Sequence, residues 1–258
     1  GGGGSGSGAA PAAAAGSTSS TGSTTAGVGT GGTGTGTNNV AYAAGPITGF
    51  GSIIVNGVRY DDSSAKVLDD NGGTKLSDDL RLGMTVEIRS SSSTTDAQGV
   101  VRAMASQIVV SRSITGPVSA VDTAAGSLVV LGQTVLVTST TVFDGVAGLA
   151  AVLVGQIVEV HALPDAQGRQ VATRIERKDS VGFDGVLRVS GTIASLNAAR
   201  TEFKIGAVTI TLSTPLVSTL GNGSQVRVEA RSTATANVLA ATSVRAYGLG
   251  VSDGASSG

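Results

Sequence analysis

The chain has 258 residues, with 17 Lys plus Arg against 18 Asp plus Glu, and the resulting net charge of −1 gives no electrostatic footprint for nucleic acid. It contains no cysteine and one histidine, His161, which excludes disulfide frameworks, thiolate clusters, cysteine nucleophiles and zinc sites built from several imidazoles. Aromatic residues are 3% with no Trp, too few for a base- or sugar-stacking platform, while glycine reaches 39 residues.

The first 58 positions carry no charge, and 39 of the first 45 residues are Gly, Ala, Ser or Thr. Such a stretch buries too little apolar surface to offset its chain entropy, so 1–44 reads as a low-complexity tail. Two states of that tail fit its composition. One is a flexible spacer. The other is an extended strand inserted in a neighbouring barrel, for which Val40 and Tyr42, alternating with small or polar neighbours, are the candidate subunit-linking residues. The opening Gly-Gly-Gly-Gly-Ser, without an initiator Met, is expected where an export signal has been removed or the chain was cut. The longest apolar run, Val146–Val154, is far short of the ~20 residues that span a bilayer. No membrane span is expected, and a lipid anchor would require a cysteine before Gly1.

Beyond the tail, five markers recur in one order at a period of about seventy residues. Gly45-Pro46-Ile47 returns as Gly116-Pro117-Val118 and Gly191-Thr192-Ile193. A glycine between two apolar runs stands at Gly57, Gly132 and Gly206. Another, Gly83, Gly155 or Gly223, opens a phrase such as Gly83-Met-Thr-Val-Glu-Ile. Asp-Ala-Gln-Gly occurs at 96–99 and 165–168, and Ala105-Ser-Gln-Ile returns at Ala172 and Ala241. The markers predict β-modules over 45–112, 113–180 and 181–249, with a C-terminal tail at 250–258.

Within module two, Val118–Val121, Leu128–Leu131 and Thr134–Val137 read as strands separated by turns. A short helix over Ala147–Val152, capped by Asp144, should follow. Gln156–His161 and Arg169–Arg177 read as the last two strands. Ser77–Leu80 supplies the helical turn of module one, and Asn197–Arg200 the first turn of module three. Three strands, a short helix and two strands is the order of an OB-like barrel. The fold class expected is all-β, with three tandem small OB-like barrels whose short linkers, Ser111–Ile114 and Lys178–Phe183, set them in a rod-like row.

These phrases carry a family resemblance. Gly27-Val-Gly-Thr-Gly-Gly-Thr-Gly, then Gly45 to Tyr60, Asp79-Leu-Arg-Leu-Gly-Met84, Leu131-Gly-Gln-Thr-Val135 and Val171-Ala-Thr-Arg-Ile-Glu176 resemble the domain of unknown function 5666 family, well over 27–178 and weakly over 185–247. The resemblance implies exported β-barrel modules of bacterial envelopes, often behind a lipoprotein-type signal, and brings no catalytic residues.

Candidate chemistry is sparse. Glu87, Glu159 and Arg227 occupy one repeat position, and Arg89, His161 and Glu229 another. Val86, Val158 and Val226 point the opposite way. A position that accepts Arg, His and Glu reads as a solvent face. The acids Asp61, Asp62, Asp69, Asp70, Asp78 and Asp79 lack calcium-loop order, and Asp70-Asn71-Gly72 reads as a turn. No phosphate loop, nucleophile elbow or placed carboxylate pair is present. The expectation is a non-enzymatic exported structural protein of the cell surface or extracellular matrix, without cofactor or metal. Its expected partner is itself, through strand addition. The alternative is a glycan-binding envelope protein that uses the barrel faces, with a periplasmic or outer-membrane lipoprotein as the alternative location.

Overall fold

The computed structural model describes residues 40–111, 114–179, 183–235 and 237–246. Residues 1–39 of the tail expected over 1–44, and all of the C-terminal tail expected over 250–258, lie outside the described residues. The first strand nevertheless begins at Ala41, inside the stretch assigned to the tail.

The first ring is built from β1 (Ala41–Gly49), β2 (Ile53–Val55), β3 (Val58–Asp61), β4 (Lys66–Leu68), β5 (Thr74–Lys75), β6 (Thr85–Ser90), β7 (Thr94–Thr95) and β8 (Val101–Val110). Antiparallel pairings join β1 to β2, β2 to β3, β6 to β8 and β6 to β1. A parallel pairing of β3 with β8 closes the circuit. This five-strand closure, with the third strand parallel to the last, is an OB-like barrel. The next stretch repeats it with β9 (Ile114–Asp122), β10 (Ser127–Val130), β11 (Gln133–Leu136), β12 (Val142–Asp144), β13 (Ile157–Pro164) and β14 (Gln170–Lys178). Here β11 and β14 form the parallel seam. A third circuit uses β15 (Leu187–Thr192), β16 (Glu202–Ile205), β17 (Val208–Thr211), β18 (Gln225–Thr235) and β19 (Val238–Ala246), with the parallel seam between β17 and β19. Among the described residues, its first two strands are joined by the isolated bridge Ala194–Lys204 and by the Asn197 amide donating to the Glu202 carbonyl at 2.9 Å.

Alternation dictates these strands. In β6 the side chains of Val86 and Ile88 are fully buried, while Glu87 and Arg89 stand on the outer face. Val158 and Val226 repeat the inward placement. The repeated tetrapeptide makes the same turn twice. Asp96 Oδ1 accepts from the Gln98 and Val100 amides, and Asp165 Oδ1 from those of Gln167 and Arg169.

Between the third and fourth strands a single 3-10 turn stands at Ser77–Asp79 in the first barrel. The helix expected over Ala147–Val152 is likewise one turn, Leu149–Ala151, and Asp144 does not cap it. Gly148 is fully extended, Val152 is extended with its side chain buried, and Asp144 is drawn away by β12 pairing beside β14 and by an ion pair with Arg174.

The rod-like row is also corrected. Barrels two and three share one continuous hydrophobic core, and the pair Thr115–Arg188 stitches β9 to β15 in one sheet. Barrel one keeps its own core, around Ile47, Val55, Tyr60, Val86, Ile88 and Ile108. It nevertheless touches both others, meeting barrel two through Thr85 and Gly83 and barrel three through its β4–β5 turn, which reaches β18. Asp70 pairs there with Arg227, and Asn71 Nδ2 donates to Glu229 Oε1 at 3.2 Å. Short linkers and complementary polar faces fold the row into a cluster.

All six marker glycines, Gly57, Gly132, Gly206, Gly83, Gly155 and Gly223, have positive φ. At Gly132 the absence of a side chain matters twice. Its φ is +69°, and a Cβ there would stand 2.7 Å from the Val208 amide of the third barrel. Gly57 has φ +78° with nothing within 4 Å of the added atom. In chemical denaturation Gly57→Ala should therefore cost about 1 kcal/mol, backbone strain alone. Gly132→Ala should cost at least about 2 kcal/mol, because it also separates two barrels.

Candidate functional site

The most buried charged side chains lie where barrels meet. His161, on the outer face of β13, is 1% exposed, so the solvent face expected of its repeat position is wrong for this copy. Its Nδ1 accepts from the Thr85 amide of barrel one at 3.3 Å, with the Thr85 hydroxyl 3.1 Å away. That acceptance sets the tautomer, so Nε2–H faces Glu159 Oε1 at 3.2 Å. Next to it, Thr173 Oγ1 donates to the Gly83 carbonyl at 2.7 Å. Arg174 donates to the Leu82 carbonyl at 3.2 Å and pairs with Asp144 and Glu176. Gly83 permits this approach, since a Cβ there would lie 2.5 Å from the Thr173 carbonyl oxygen.

Lys178 extends the network, with Nζ 3.0 Å from Glu159 and 2.7 Å from Glu176. On the third barrel Arg188 reaches Asp184 at 2.6 Å and Glu229 at 3.4 Å, while Arg227 pairs with Asp70. A cavity of about 250 Å³ remains among Asp70, Glu159, His161, Lys178, Arg188 and Arg227. Cations and carboxylates alternate around it, so they neutralise one another and present no single-signed field to a ligand.

Thr85, His161 and Glu159 superficially resemble a hydroxyl–imidazole–carboxylate relay. The geometry does not support one. Thr85 is 2% exposed, and the Nδ1 lone pair that would take the hydroxyl proton already accepts the Thr85 backbone N–H. The cluster works as a joint.

Electrostatics agree with that role. Burial acts to raise the Glu159 carboxyl, but the hydrogen bond from His161 and the charge and hydrogen bond of Lys178 outweigh it and bring it from 4.5 down to about 2. Burial also lowers Arg227, with Glu229 opposing that shift.

Elsewhere, Val40 and Tyr42 do not enter another barrel in the single chain. Ala41–Ala43 pair with Ile88–Ser90 of their own β6, and Tyr42 is 49% exposed with its hydroxyl accepting from Arg89 at 2.8 Å. Asp69, rather than Asp70, organises the predicted turn, its Oδ1 accepting from the Asn71 and Gly73 amides. No group of three or more potential metal ligands occurs among the described residues, and no described helix is long and apolar enough to cross a membrane. The joint residues Thr85, Thr173 and Arg174 were missed by sequence reasoning. The available signal was a charge reversal: Glu87-x-Arg89 and Glu159-x-His161 in two copies, but Arg227-x-Glu229 in the third.

The fold and site thus define an all-β protein of OB-like barrels joined by a buried polar network. The model of the family described as Domain of unknown function (DUF5666) matches residues 115–176, within the second barrel. Two solved structures are distantly similar. Drosophila Unr CSD456 is 14% identical, with 83% of this chain and 99% of that chain covered at a TM-score of 0.24. A multidomain protein with nucleic acid binding domains from Streptococcus pneumoniae TIGR4 is 12% identical, with 72% and 67% covered at 0.18. No curated protein matches the chain.

Because the folded Glu159 value lies below its unfolded one, its contribution is complete above about pH 4.5 and is lost as pH falls toward 2. Thermal midpoints across that window should fall more steeply for the native chain than for Glu159→Gln. At pH 7, His161→Ala should cost about 3 kcal/mol, by cavity formation and an orphaned Thr85 amide.

Proposed function

We propose that the chain is a non-enzymatic, exported structural protein of the cell surface or extracellular matrix, whose barrels form a rigid unit and whose N-terminal segment links one copy to the next by strand addition. The observation that carries this reading is the use of the buried charges: His161, Arg174 and Arg227 join barrel to barrel. Export is what the family resemblance implies. The uncharged sequence of 1–39 supports the linking role, since it can lie against a foreign backbone without desolvating a charge.

A second reading, a glycan-binding protein, is favoured by one feature. A groove of about 600 Å³ between the barrels is lined by apolar residues and Glu87 together with the hydrogen-bonding side chains of Gln133, Gln170, Ser190, Thr192 and Gln225. Ser190 Oγ is buried there and has no partner among the described residues.

Electron microscopy and light scattering of the full chain beside residues 40–258 separate the two readings. The structural reading expects filaments or oligomers from the full chain and monomers from the shortened one. Identical monomers from both would overturn it. Saturable binding on a glycan array, lost in Ser190→Ala, would establish the second reading instead.

A further inference from the structure

Resting on the linking role proposed above, we infer that the outer edge of β19 at Ser243–Arg245 accepts a parallel strand centred on Val28 from the N-terminal segment of a second copy.

The other barrels show what this edge lacks. In barrel one the last strand carries two parallel partners in succession. β3 pairs with Arg102–Met104, and β4 then pairs with Gln107–Val109. Barrel two does the same, with β11 at Gln170–Val171 and β12 at Arg174–Glu176. The residues facing the middle of the second partner, Ile108 and Ile175, are fully buried, opposite Val67 and Phe143.

Among the described residues, barrel three has only the first partner. β17 pairs with Val238–Ala240. The repeat phrases Ala105-Ser-Gln-Ile, Ala172-Thr-Arg-Ile and Ala241-Thr-Ser-Val align Ser243–Arg245 with 107–109 and 174–176. Among the described residues, Ser243–Arg245 pair with β18 alone, and Val244 is left half-buried. The chain that would have supplied the second partner is held elsewhere. After β17, the Leu212 amide donates to the Thr201 carbonyl at 2.8 Å and the Leu216 amide to the Arg200 carbonyl at 2.7 Å. The Arg200 guanidinium donates to the carbonyls of Leu216 and Val217 at 2.9 and 2.7 Å. An arginine thus fastens this segment to the β15–β16 turn, and a strand edge stays unpaired in barrel three.

The occupant must bring one apolar side chain to Val244, as β4 brings Val67 and β12 brings Phe143. In residues 1–39 the only apolar side chains larger than alanine are Pro11 and Val28. Pro11 lacks the amide that a ladder needs. Val28 sits in Ala26-Gly27-Val28-Gly29-Thr30, uncharged and small on both sides. The eleven residues between Val28 and Val40 can span about 40 Å, enough to leave one barrel cluster for another.

The native chain has no cysteine, so cross-linking is clean. Full-length Val28→Cys is mixed with full-length Val244→Cys and oxidised. A disulfide between the two copies is expected, together with a shift of the native assembly concentration by about tenfold or more in Val28→Asp, which leaves the barrels untouched. Assembly that proceeds without this cross-link and is indifferent to Val28→Asp overturns the assigned edge while the structural reading stands. A link formed only within a Val28→Cys/Val244→Cys double variant, as monomer, overturns the second copy as donor. Absence of assembly by the native chain overturns both readings together.

Discussion

Each barrel depends on the parallel seam between its third and last strands. The other seams between the five ring strands of a barrel are antiparallel, several of them through tight turns, but β3–β8, β11–β14 and β17–β19 must be made across the sheet by chain that leaves and returns. Once that seam forms, the sheet curls into a ring with an apolar interior and a polar outside. The return path between the third and fourth ring strands carries the 3-10 turns at Ser77–Asp79 and Leu149–Ala151 in the first two barrels. Closure also determines what is left for function, since only outer faces and unpaired edges remain available to anything else.

The outer faces are used for joining, and the chemistry of that use is costly by design. Burying His161, Arg174 and Arg227 forfeits hydration that ion pairing only partly restores. The return is geometrical. A methyl-lined interface tolerates sliding, whereas Thr85 N–H on His161 Nδ1 and Thr173 on the Gly83 carbonyl fix one register of barrel one against barrel two. Between barrels two and three the solution is different, a shared apolar core with Gly132 against Val208.

Local chemistry was legible in the sequence. The alternation that buries Val86, Val158 and Val226, the Asp96 and Asp165 turns, and the order of strands around each ring all follow from residues near one another in the chain. The joint was not legible, because a charged outer face looks the same whether water or another barrel covers it. His161 and Arg227 became buried through partners more than seventy residues away, Thr85 and Asp70. The start of β1 was obscured differently. Tyr42 between two alanines already reads as a strand, but the edge it joins belongs to β6 of its own barrel, a pairing partner more than forty residues away. The helix over Ala147–Val152 was overestimated because Gly148 is extended and Asp144 is paired with Arg174, a partner thirty residues away, instead of capping the turn.

The continuous core beneath barrels two and three gives the chain an uneven response to load. Tension applied along the backbone would meet barrel one as a unit with its own core, tied to the remainder by hydrogen bonds and ion pairs at its rim. The other two barrels would resist together, since parting β9 from β15 exposes a common apolar interior. A fibre built from such links would yield first by releasing one small barrel from each, lengthening while the larger pair stays folded.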